Sequence, residues 1–421
     1  MEKVRNKLLY GLNETDNWWY FSQGRESKII NSKLRELDTH IIRVFLFDKG
    51  TPDPVRQWEL FIPYIQAVLD IGAKPMISFA FFNYPYYDAT SISSFANRCS
   101  DVVWGCIQQW GNEEVSKWYW GIWNEPNNKE IGGGLTFDEY RVIYVETAIA
   151  ILEYLKPIIG DEKPKIGGPA VDGFDSQWLT WIERFIGEID NELIGFVSWH
   201  RYGDWRGLGQ FGAPSKEDDY SQLLFAQTSD YENRSKMVGK LIEGRDIKNI
   251  CGELNVNSDH NPEVSRRFNQ SLFGAVYYTS ALLHLIRGGA DLEMWWTASD
   301  KDGPYGMINC KGEVTPVYHA KKLFSKYIKY GDWVSFSQNS SDNSNLDIVV
   351  SNDDHGNRKS ILLVNYNNQL CTFSNSKWSY LFEEFDTVLM IDNENINNVK
   401  VESFNGSLTF NGYGVAVLTV A

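Results

Sequence analysis

Two glutamates far apart in the chain occupy similar local sequences. Glu125 lies in WNEPN (123–127) and Glu253 lies in GELN (252–255), each at the end of a short apolar run. Two carboxylates that face each other across a cleft can cleave a glycosidic bond, because one protonates the leaving oxygen while the other attacks the anomeric carbon. A single glutamate at a strand end is more often a helix N-cap partner or half of an ion pair. Two of them in these contexts predict a catalytic carboxylate pair.

Three further residues could support this pair. Arg43 lies inside an apolar run, where a buried arginine needs a carboxylate partner, and Glu253 is the candidate. The alternative is a structural salt bridge inside the fold. The Tyr202 hydroxyl could donate a hydrogen bond to the same carboxylate and orient it. His200, two residues earlier, could line the same wall or could be a satisfied core residue.

The residues beside these groups suggest contacts with a sugar. Asn124 could hydrogen-bond the sugar 2-hydroxyl, a contact that strengthens as the transition state forms. Trp296 ends another apolar run and could form the floor of the site. Since neighbouring residues of a strand face opposite ways, either Trp295 or Trp296 must point into the packing.

Aromatic residues are unusually frequent, at 14% of the chain, with 16 Trp, 22 Tyr and 23 Phe. A large aromatic core explains part of this content, and a surface that stacks on sugar rings would explain more. Several aromatic residues fall on loops that follow apolar runs and are candidate walls of a glycan cleft; they are Trp18, Trp19, Tyr84, Tyr86, Tyr87 and Trp205. Taken singly, an aromatic residue in such a place is more often ordinary packing, and it is the set as a whole that favours a glycan cleft.

The elements that must position these residues follow a regular rhythm. Eight short apolar runs alternate with amphipathic stretches between residue 8 and about residue 325, which predicts an α/β fold of the (β/α)₈ TIM barrel type. The runs are Leu8–Leu12, Ile41–Phe47, Pro75–Phe82, Trp118–Asn124, Lys165–Val171, Phe196–Tyr202, Asn249–Asn255 and Leu292–Thr297. A doubly wound sheet would also alternate, but it usually has fewer strands and a glycine-rich turn after the first. Both glutamates therefore fall at the C-terminal ends of barrel strands, on opposite sides of the mouth.

The sequence pattern changes after Lys329. Short β-prone runs follow one another, separated by turn residues, with no stretch of helical length. We therefore predict a catalytic barrel over residues 1–330 and an all-β sandwich domain over residues 331–421.

Composition limits the possible partners. The formal charge is −15 and nucleic acid is a poor partner for such an acidic chain. No apolar stretch is long enough for a signal peptide or a membrane span, so we expect no membrane partner and a cytoplasmic location, or a secreted one if a signal has been removed. No metal-binding or nucleotide-binding motif is present, and neither a metal nor a cofactor is expected. The sequence does not indicate the oligomeric state.

The motifs resemble those of clan A glycoside hydrolases, and within that clan they are most similar to family 39, the β-xylosidase and α-L-iduronidase family. The resemblance rests on WYWGIWNEPN (118–127), GAKPMISFAFF (72–82), GELN (252–255) and WTASD (296–300), and it extends over residues 8–330. It implies that Glu125 is the acid/base, that Glu253 is the nucleophile, and that the anomeric configuration is retained.

The resulting prediction is a retaining glycosidase that acts on oligosaccharides or polysaccharides, of the exo-acting β-xylosidase type. Two alternatives remain open at this stage. One is an endo-acting glycanase on a plant or bacterial polysaccharide, and the other is a sugar-binding barrel that has lost catalysis. A transglycosylase would use the same residues.

Overall fold

Eight parallel strands close into a barrel, as the alternating apolar runs predict. The computed structural model describes residues 2–14, 18–47, 53–80, 89–204, 217–259, 261–301, 303–336, 345–374 and 382–420. In chain order the barrel strands are β2 Leu9–Glu14, β3 Ile41–Leu46, β4 Lys74–Phe79, β5 Tyr119–Ile122, β6 Ile166–Val171, β7 Phe196–Asp204, β8 Lys248–Asn257 and β9 Leu292–Trp295. The strand β1, Glu2–Arg5, precedes them and lies outside the barrel. Each of the eight predicted runs overlaps one barrel strand, so the barrel prediction is confirmed.

Helices connect successive strands. They are α1 Trp18–Ser22, α2 Ser27–Arg35, α3 Trp58–Ile71, α4 Ala89–Trp110, α5 Asn112–Val115, α6 Phe137–Ile159, α7 Trp178–Glu188, α8 Glu217–Gln227, α9 Ser229–Leu241, α10 Pro262–Asn269, α11 Leu272–Gly288 and α12 Pro316–Tyr327, with a 3₁₀ turn at Asn191–Leu193. The helices α10 and α11 are separate because Ser271 between them is extended, and its hydroxyl caps α11 by accepting from Gly274 N–H. Two short strands, β10 Ser299–Asp300 and β11 Ile308–Asn309, lie in the segment after β9.

The barrel interior changes character along its axis. At the N-terminal end of the strands an apolar cluster fills it; the members include Ile41, Met76, Tyr119, Phe196, Ile250 and Leu292. Two residues further along the same strands, polar side chains replace apolar ones, including Arg43, Ser78 and Ser198, all buried. This end is the one where barrels carry their chemistry.

An antiparallel sheet follows the barrel, as predicted for the C-terminal region. Its elements in chain order are β12 Trp333–Phe336, β13 Leu346–Asn352, β14 Arg358–Asn365, β15 Leu370–Ser374, β16 Thr387–Ile391, β17 Lys400–Ser403, β18 Ser407–Asn411 and β19 Gly414–Thr419. Seven strands form one sheet in the order β1-β12-β13-β14-β19-β16-β17, and β15 pairs with β18 in a separate two-stranded sheet.

Both faces of the large sheet are buried. Successive side chains along each strand point to opposite faces, so they join two different cores. In β14, Leu362 and Val364 join the core shared with the barrel helices, whereas Ile361 and Leu363 join a second core with the β15–β18 pair. The sheet is therefore packed between the barrel helices and the small two-stranded sheet.

Five of the described strands are not predicted by the sequence pattern: β1, β10, β11, β12 and β15. The first is short and largely exposed, with the sequence EKVR, and only pairing with β12 makes it a strand. The amino terminus thus contributes an edge strand to the C-terminal sheet. The division at residue 330 stays a prediction.

The described helices include none that is long and apolar enough to cross a membrane.

A buried ion pair fastens α12 to the barrel. The Lys321 ammonium donates to Glu293 Oε1 over 2.7 Å, to the Tyr278 hydroxyl over 2.8 Å and to the carbonyl oxygen of Gly11 over 3.0 Å. Both charged side chains are at most 1% exposed. Because α12 also packs on β14, β16 and β19, this pair lies where barrel and sheet meet.

Replacing Lys321 by Ala should leave the Glu293 carboxylate buried without its cation. Breaking a buried pair in this way costs about 3–5 kcal/mol of unfolding free energy. Urea unfolding at pH 7 measures the loss. The matched control is Lys322→Ala on the same helix, which removes a half-exposed ion pair with Glu36 and should cost no more than about 1 kcal/mol. Equal losses in the two variants would contradict the assignment.

Candidate active site

The direction of Glu253 depends on a β-bulge. Cys251 pairs with Trp199 and Glu253 pairs with His200, so Gly252 is an extra residue in β8. Cys251 faces the helices and is part of the main core. Regular alternation would therefore also point Glu253 outward, and the inserted residue turns its side chain into the barrel.

Glycine is required at this bulge because β7 approaches closely. A Cβ atom on residue 252 would lie 2.3 Å from Ser198 Oγ and 3.4 Å from the His200 ring. The bulge thus brings Glu253 beside His200 while leaving no room for a side chain before it.

Arg43 binds Glu253 and organises the site floor. Its Nη1 donates to Glu253 Oε1 over 2.9 Å, so the partner expected from the sequence is present. Its Nη2 donates to Asn124 Oδ1 over 2.7 Å and to Ser78 Oγ over 3.1 Å. The guanidinium is almost fully buried and lies over the Phe45 ring. It therefore links β3, β4, β8 and the loop after β5.

Two residues of β7 contact the carboxylates. The Tyr202 hydroxyl donates to Glu253 Oε2 over 2.8 Å, and His200 Nδ1 lies 2.8 Å from Glu125 Oε1 and 3.6 Å from Glu253 Oε2. A carboxylate oxygen from each glutamate and this ring nitrogen all lie within 4.8 Å of one another. The carboxylates are therefore close neighbours at the barrel mouth, although 128 positions separate them in sequence.

The loop that carries Glu125 departs from strand geometry at once. Trp123 and Glu125 have φ of +76° and +45°, in the left-handed region that L-residues rarely occupy. This backbone sends the Trp123 ring into the core and directs Asn124 to Arg43. Glu125 N–H donates to the Ala170 carbonyl over 2.9 Å, and the backbone of Gly132 packs so tightly that a Cβ would lie 2.0 Å from the Glu125 carbonyl oxygen.

The two carboxyls have different electrostatic surroundings. Burial raises the pKa of Glu125 well above its ordinary value, and the negative charge of Asp172 raises it further. Burial also raises the pKa of Glu253, but the Arg43 cation and the Tyr202 hydroxyl oppose that rise. Burial lowers the pKa of His200 to about 4, so this imidazole is neutral at pH 7. Glu125 is thus the carboxyl that favours its protonated form.

The paired tryptophans at the end of β9 take different places. Trp295 is fully buried against Tyr278 of α11, whereas Trp296 is partly exposed at the barrel mouth and meets Phe45 edge-on at 5.4 Å. The peptide bond from Trp296 to Thr297 is cis.

Two of the other predicted aromatic residues, Trp18 and Trp19, lie in α1. Trp18 packs against Tyr64 of α3, and Trp19 meets Trp18 edge-on with 47% of its surface exposed. Tyr84 and Trp205, with Tyr86 and Tyr87, lie outside the described residues. Their contribution to a sugar cleft stays a prediction.

Sequence reasoning missed four residues next to the carboxylates. Asn13 Nδ2 donates to the carbonyls of Gly252 and Met294 on the nearby strands β8 and β9, and Asn13 Oδ1 accepts from Arg43. Ser78, Asn128 and Asp172 complete the surroundings. Asn13 and Asp172 stand at or just after strand ends, so the rule that identified the glutamates could have found them. The other two give no such signal.

Glu125, His200 and Glu253 form the one group of three within the described chain whose side chains could hold a metal ion. The sequence predicts no metal, and that prediction remains untested.

Glu125→Gln should raise stability at neutral pH. A carboxyl whose pKa rises on folding binds its proton more tightly in the folded state, so the free energy of unfolding falls as pH rises above the ordinary value of 4.5. The variant lacks this loss. Its advantage over wild type should grow above pH 4.5 by up to about 1.4 kcal/mol per pH unit.

Urea unfolding between pH 4 and 8 measures the difference. Glu130→Gln, an exposed carboxylate in the same loop, is the control and should follow wild type. A constant difference between Glu125→Gln and wild type across this range would contradict the prediction.

Comparisons with known proteins find glycoside hydrolases that are similar to this chain. Residues 58–251 match the model of glycosyl hydrolases family 39, a segment that includes Glu125 and ends two residues before Glu253. A β-xylosidase of Caldicellulosiruptor saccharolyticus is 22% identical over 295 residues, covering 62% of this chain and 55% of the relative. A β-xylosidase of Geobacillus stearothermophilus is 26% identical over 241 residues, covering 53% and 44%. The matches span about half the length of these relatives.

Solved structures share the fold over the whole chain. A monomeric β-xylosidase from Caulobacter crescentus superposes with a TM-score of 0.66 at 16% identity, covering 100% of this chain and 97% of the other. A family 51 α-L-arabinofuranosidase from Thermotoga petrophila gives 0.67 at 18% identity, covering 100% and 98%. Residues 58–251 are thus similar to family 39 glycoside hydrolases, and the chain as a whole shares the fold of these solved structures.

Proposed function

We propose that the protein is a retaining glycosidase in which Glu253 is the nucleophile and Glu125 the acid/base. The observation that carries this proposal is the approach of their carboxylate oxygens to within 4.8 Å. Retaining enzymes hold the two carboxyls about 5–5.5 Å apart, whereas inverting enzymes separate them by about 6.5–9.5 Å to admit a water molecule.

In the first step Glu253 attacks the anomeric carbon while Glu125 protonates the leaving oxygen. The ion pair with Arg43 and the hydrogen bond from Tyr202 favour the ionised nucleophile and aim its oxygens. Burial and the nearby Asp172 charge favour a protonated Glu125. This division of charge fits the two roles.

In the second step Glu125 accepts a proton from the water that attacks the glycosyl-enzyme. Formation of the ester removes the negative charge of Glu253, which lowers the pKa of Glu125 and suits it to act as a base. Asn124 is our candidate for the contact with the sugar 2-hydroxyl, and Trp296 for the floor beneath the ring.

We propose an exo-acting enzyme of the β-xylosidase type, since the relatives from Caldicellulosiruptor saccharolyticus and Geobacillus stearothermophilus carry that name. An endo-acting glycanase is the alternative within the same chemistry. Intact contacts from Arg43 and Tyr202 to Glu253 argue against a barrel retained only for binding sugar.

The remaining attributes are proposals of the same kind. They are an oligosaccharide or polysaccharide substrate, no nucleic-acid or membrane partner, a cytoplasmic location, and a catalytic barrel followed by an accessory β domain.

Wild type should release the aryl group from one class of glycoside, and Glu253→Gln should release none. The screen compares aryl β-xyloside, β-glucoside, β-galactoside, α-L-arabinofuranoside and α-L-arabinopyranoside. Glu125→Gln should lose about 10²–10⁴ in kcat/KM on phenyl glycosides but far less on dinitrophenyl glycosides, because good leaving groups need no acid. Equal losses on both substrates would assign Glu125 another role. If wild type hydrolyses none of the five aryl glycosides, the endo-acting alternative is favoured, and hydrolysis of polysaccharides tests it.

A slow substrate should label the nucleophile. A 2-deoxy-2-fluoro-β-xyloside with a dinitrophenyl leaving group should form a stable ester, because the fluorine slows both steps and the leaving group speeds the first. Mass spectrometry of the digested protein should find the added sugar on Glu253. Glu253→Gln should remain unlabelled, and a label on any other residue would overturn the assignment.

A further inference from the structure

The loops after β5 and β6 interlock beside Glu125. Asp172 N–H donates to Asn127 Oδ1 over 2.9 Å, and Asn127 Nδ2 donates back to the Asp172 carbonyl over 3.3 Å. With the bond from Glu125 N–H to the Ala170 carbonyl, these contacts fix the two loops relative to each other.

Asn128 lies between two carboxylates. Its Nδ2 donates to Asp172 Oδ2 over 2.9 Å and to Glu125 Oε2 over 3.3 Å. Its Oδ1 accepts from the backbone N–H groups of Glu130 and Ile131 at 2.9 and 3.2 Å. Because these donors require an oxygen, the amide has one orientation, with both of its hydrogens available to the carboxylates.

Asp172 is held equally firmly. Its Oδ1 accepts from Phe174 N–H over 2.9 Å, and its Oδ2 accepts from Asn128. Its partners in the described part of the chain are neutral hydrogen-bond donors, so its negative charge is not cancelled by a cation at contact distance. That charge raises the pKa of Glu125, and the hydrogen bond from Asn128 lowers it.

We propose that Asn128 and Asp172 are positioning residues for proton transfer by Glu125, an inference that rests on the function proposed above. Asn128 fixes the direction of Glu125 Oε2. Asp172 holds the Asn128 amide and supplies a negative charge near Glu125. Together they set the pH up to which Glu125 keeps its proton in the free enzyme.

Other titratable and charged groups also face Glu125, from β3, β7 and β8; they are Arg43, His200, Tyr202 and Glu253. None of them is altered by substitutions at 128 or 172. A change in the titration of Glu125 in such variants therefore reports on the loop residues themselves.

Two isosteric substitutions should move the titration in opposite directions. Asp172→Asn removes a negative charge, so the alkaline limb of kcat/KM for phenyl β-xyloside should move to lower pH by about half a unit or more. Asn128→Asp adds one while keeping an oxygen for the N–H groups of Glu130 and Ile131, so that limb should move to higher pH by a similar amount. A merely structural role would lower activity without opposite shifts.

Asp175→Asn is the matched control. Asp175 lies in the same loop and accepts from Asn127, and Asn128 and Glu125 are not among the partners of its carboxylate seen here. Its pH profile should coincide with that of wild type. On dinitrophenyl β-xyloside, which needs no acid for the first step, the three variants should keep kcat/KM within about threefold of wild type if the acid contribution alone has changed.

The outcomes separate this inference from the function on which it rests. If wild type shows an alkaline limb and the Asp172→Asn and Asn128→Asp profiles both coincide with it, the positioning role is wrong and the glycosidase stands. Shifts of both variants in one direction would also overturn it. If wild type hydrolyses no glycoside in the screen or on polysaccharides, the proposed function fails and this inference fails with it.

Discussion

The buried guanidinium of Arg43 is the constraint on which the site depends. Taking a cation out of water is costly, and only close partners on several sides offset that cost. The partners come from different strands: Glu253 from β8, Ser78 from β4, and Asn124 from the loop after β5. The barrel therefore cannot shift one of these elements without exposing an unpaired charge, and the geometry of the carboxylate pair follows from this requirement.

Regular secondary structure alone would not form this site. Strand alternation would turn Glu253 toward the helices, and the bulge at Gly252 reverses it. On the opposite side of the barrel mouth, the left-handed backbone at Trp123 and Glu125 likewise redirects side chains away from regular strand alternation. Such conformations cost free energy, typically about 1–3 kcal/mol each, and persist because surrounding contacts determine them. The apolar packing at the N-terminal end of the eight barrel strands holds the surrounding structure rigid.

The two carboxyls are chemically identical, and their surroundings make them different. Glu253 faces a cation and a hydroxyl donor, whereas Glu125 faces the negative charge of Asp172 and the neutral ring of His200. Opposite surroundings separate the pKa values of the two carboxyls, so that one site supplies a protonated acid and an ionised carboxylate at the same pH. The loops after β5 and β6 thus contribute to the electrostatics as much as the strands do.

Much of this organisation was readable from sequence. The barrel follows from apolar runs alternating with amphipathic stretches, because burial imposes period two on strands and period 3.6 on helices. The glutamate pair follows from polar residues at strand ends. The Arg43–Glu253 contact follows from an arginine inside an apolar run, because such a buried cation needs a carboxylate partner. Strand β1 did not follow, since its EKVR sequence has no apolar face and its pairing partner lies more than 300 residues away.

Only the tertiary structure decided the directions and neighbours of individual side chains. The bulge at residue 252 requires glycine because Ser198 of the adjacent strand leaves no room for a Cβ, and that closeness cannot be read from either strand alone. Asn128 gains its place between Glu125 and Asp172 only when two loops interlock. The sequence determined which chemical groups are available and at which end of the barrel they lie. The distances between these groups depend on contacts between segments that are far apart in sequence, which local patterns do not encode. The protonation of each group depends in turn on those distances.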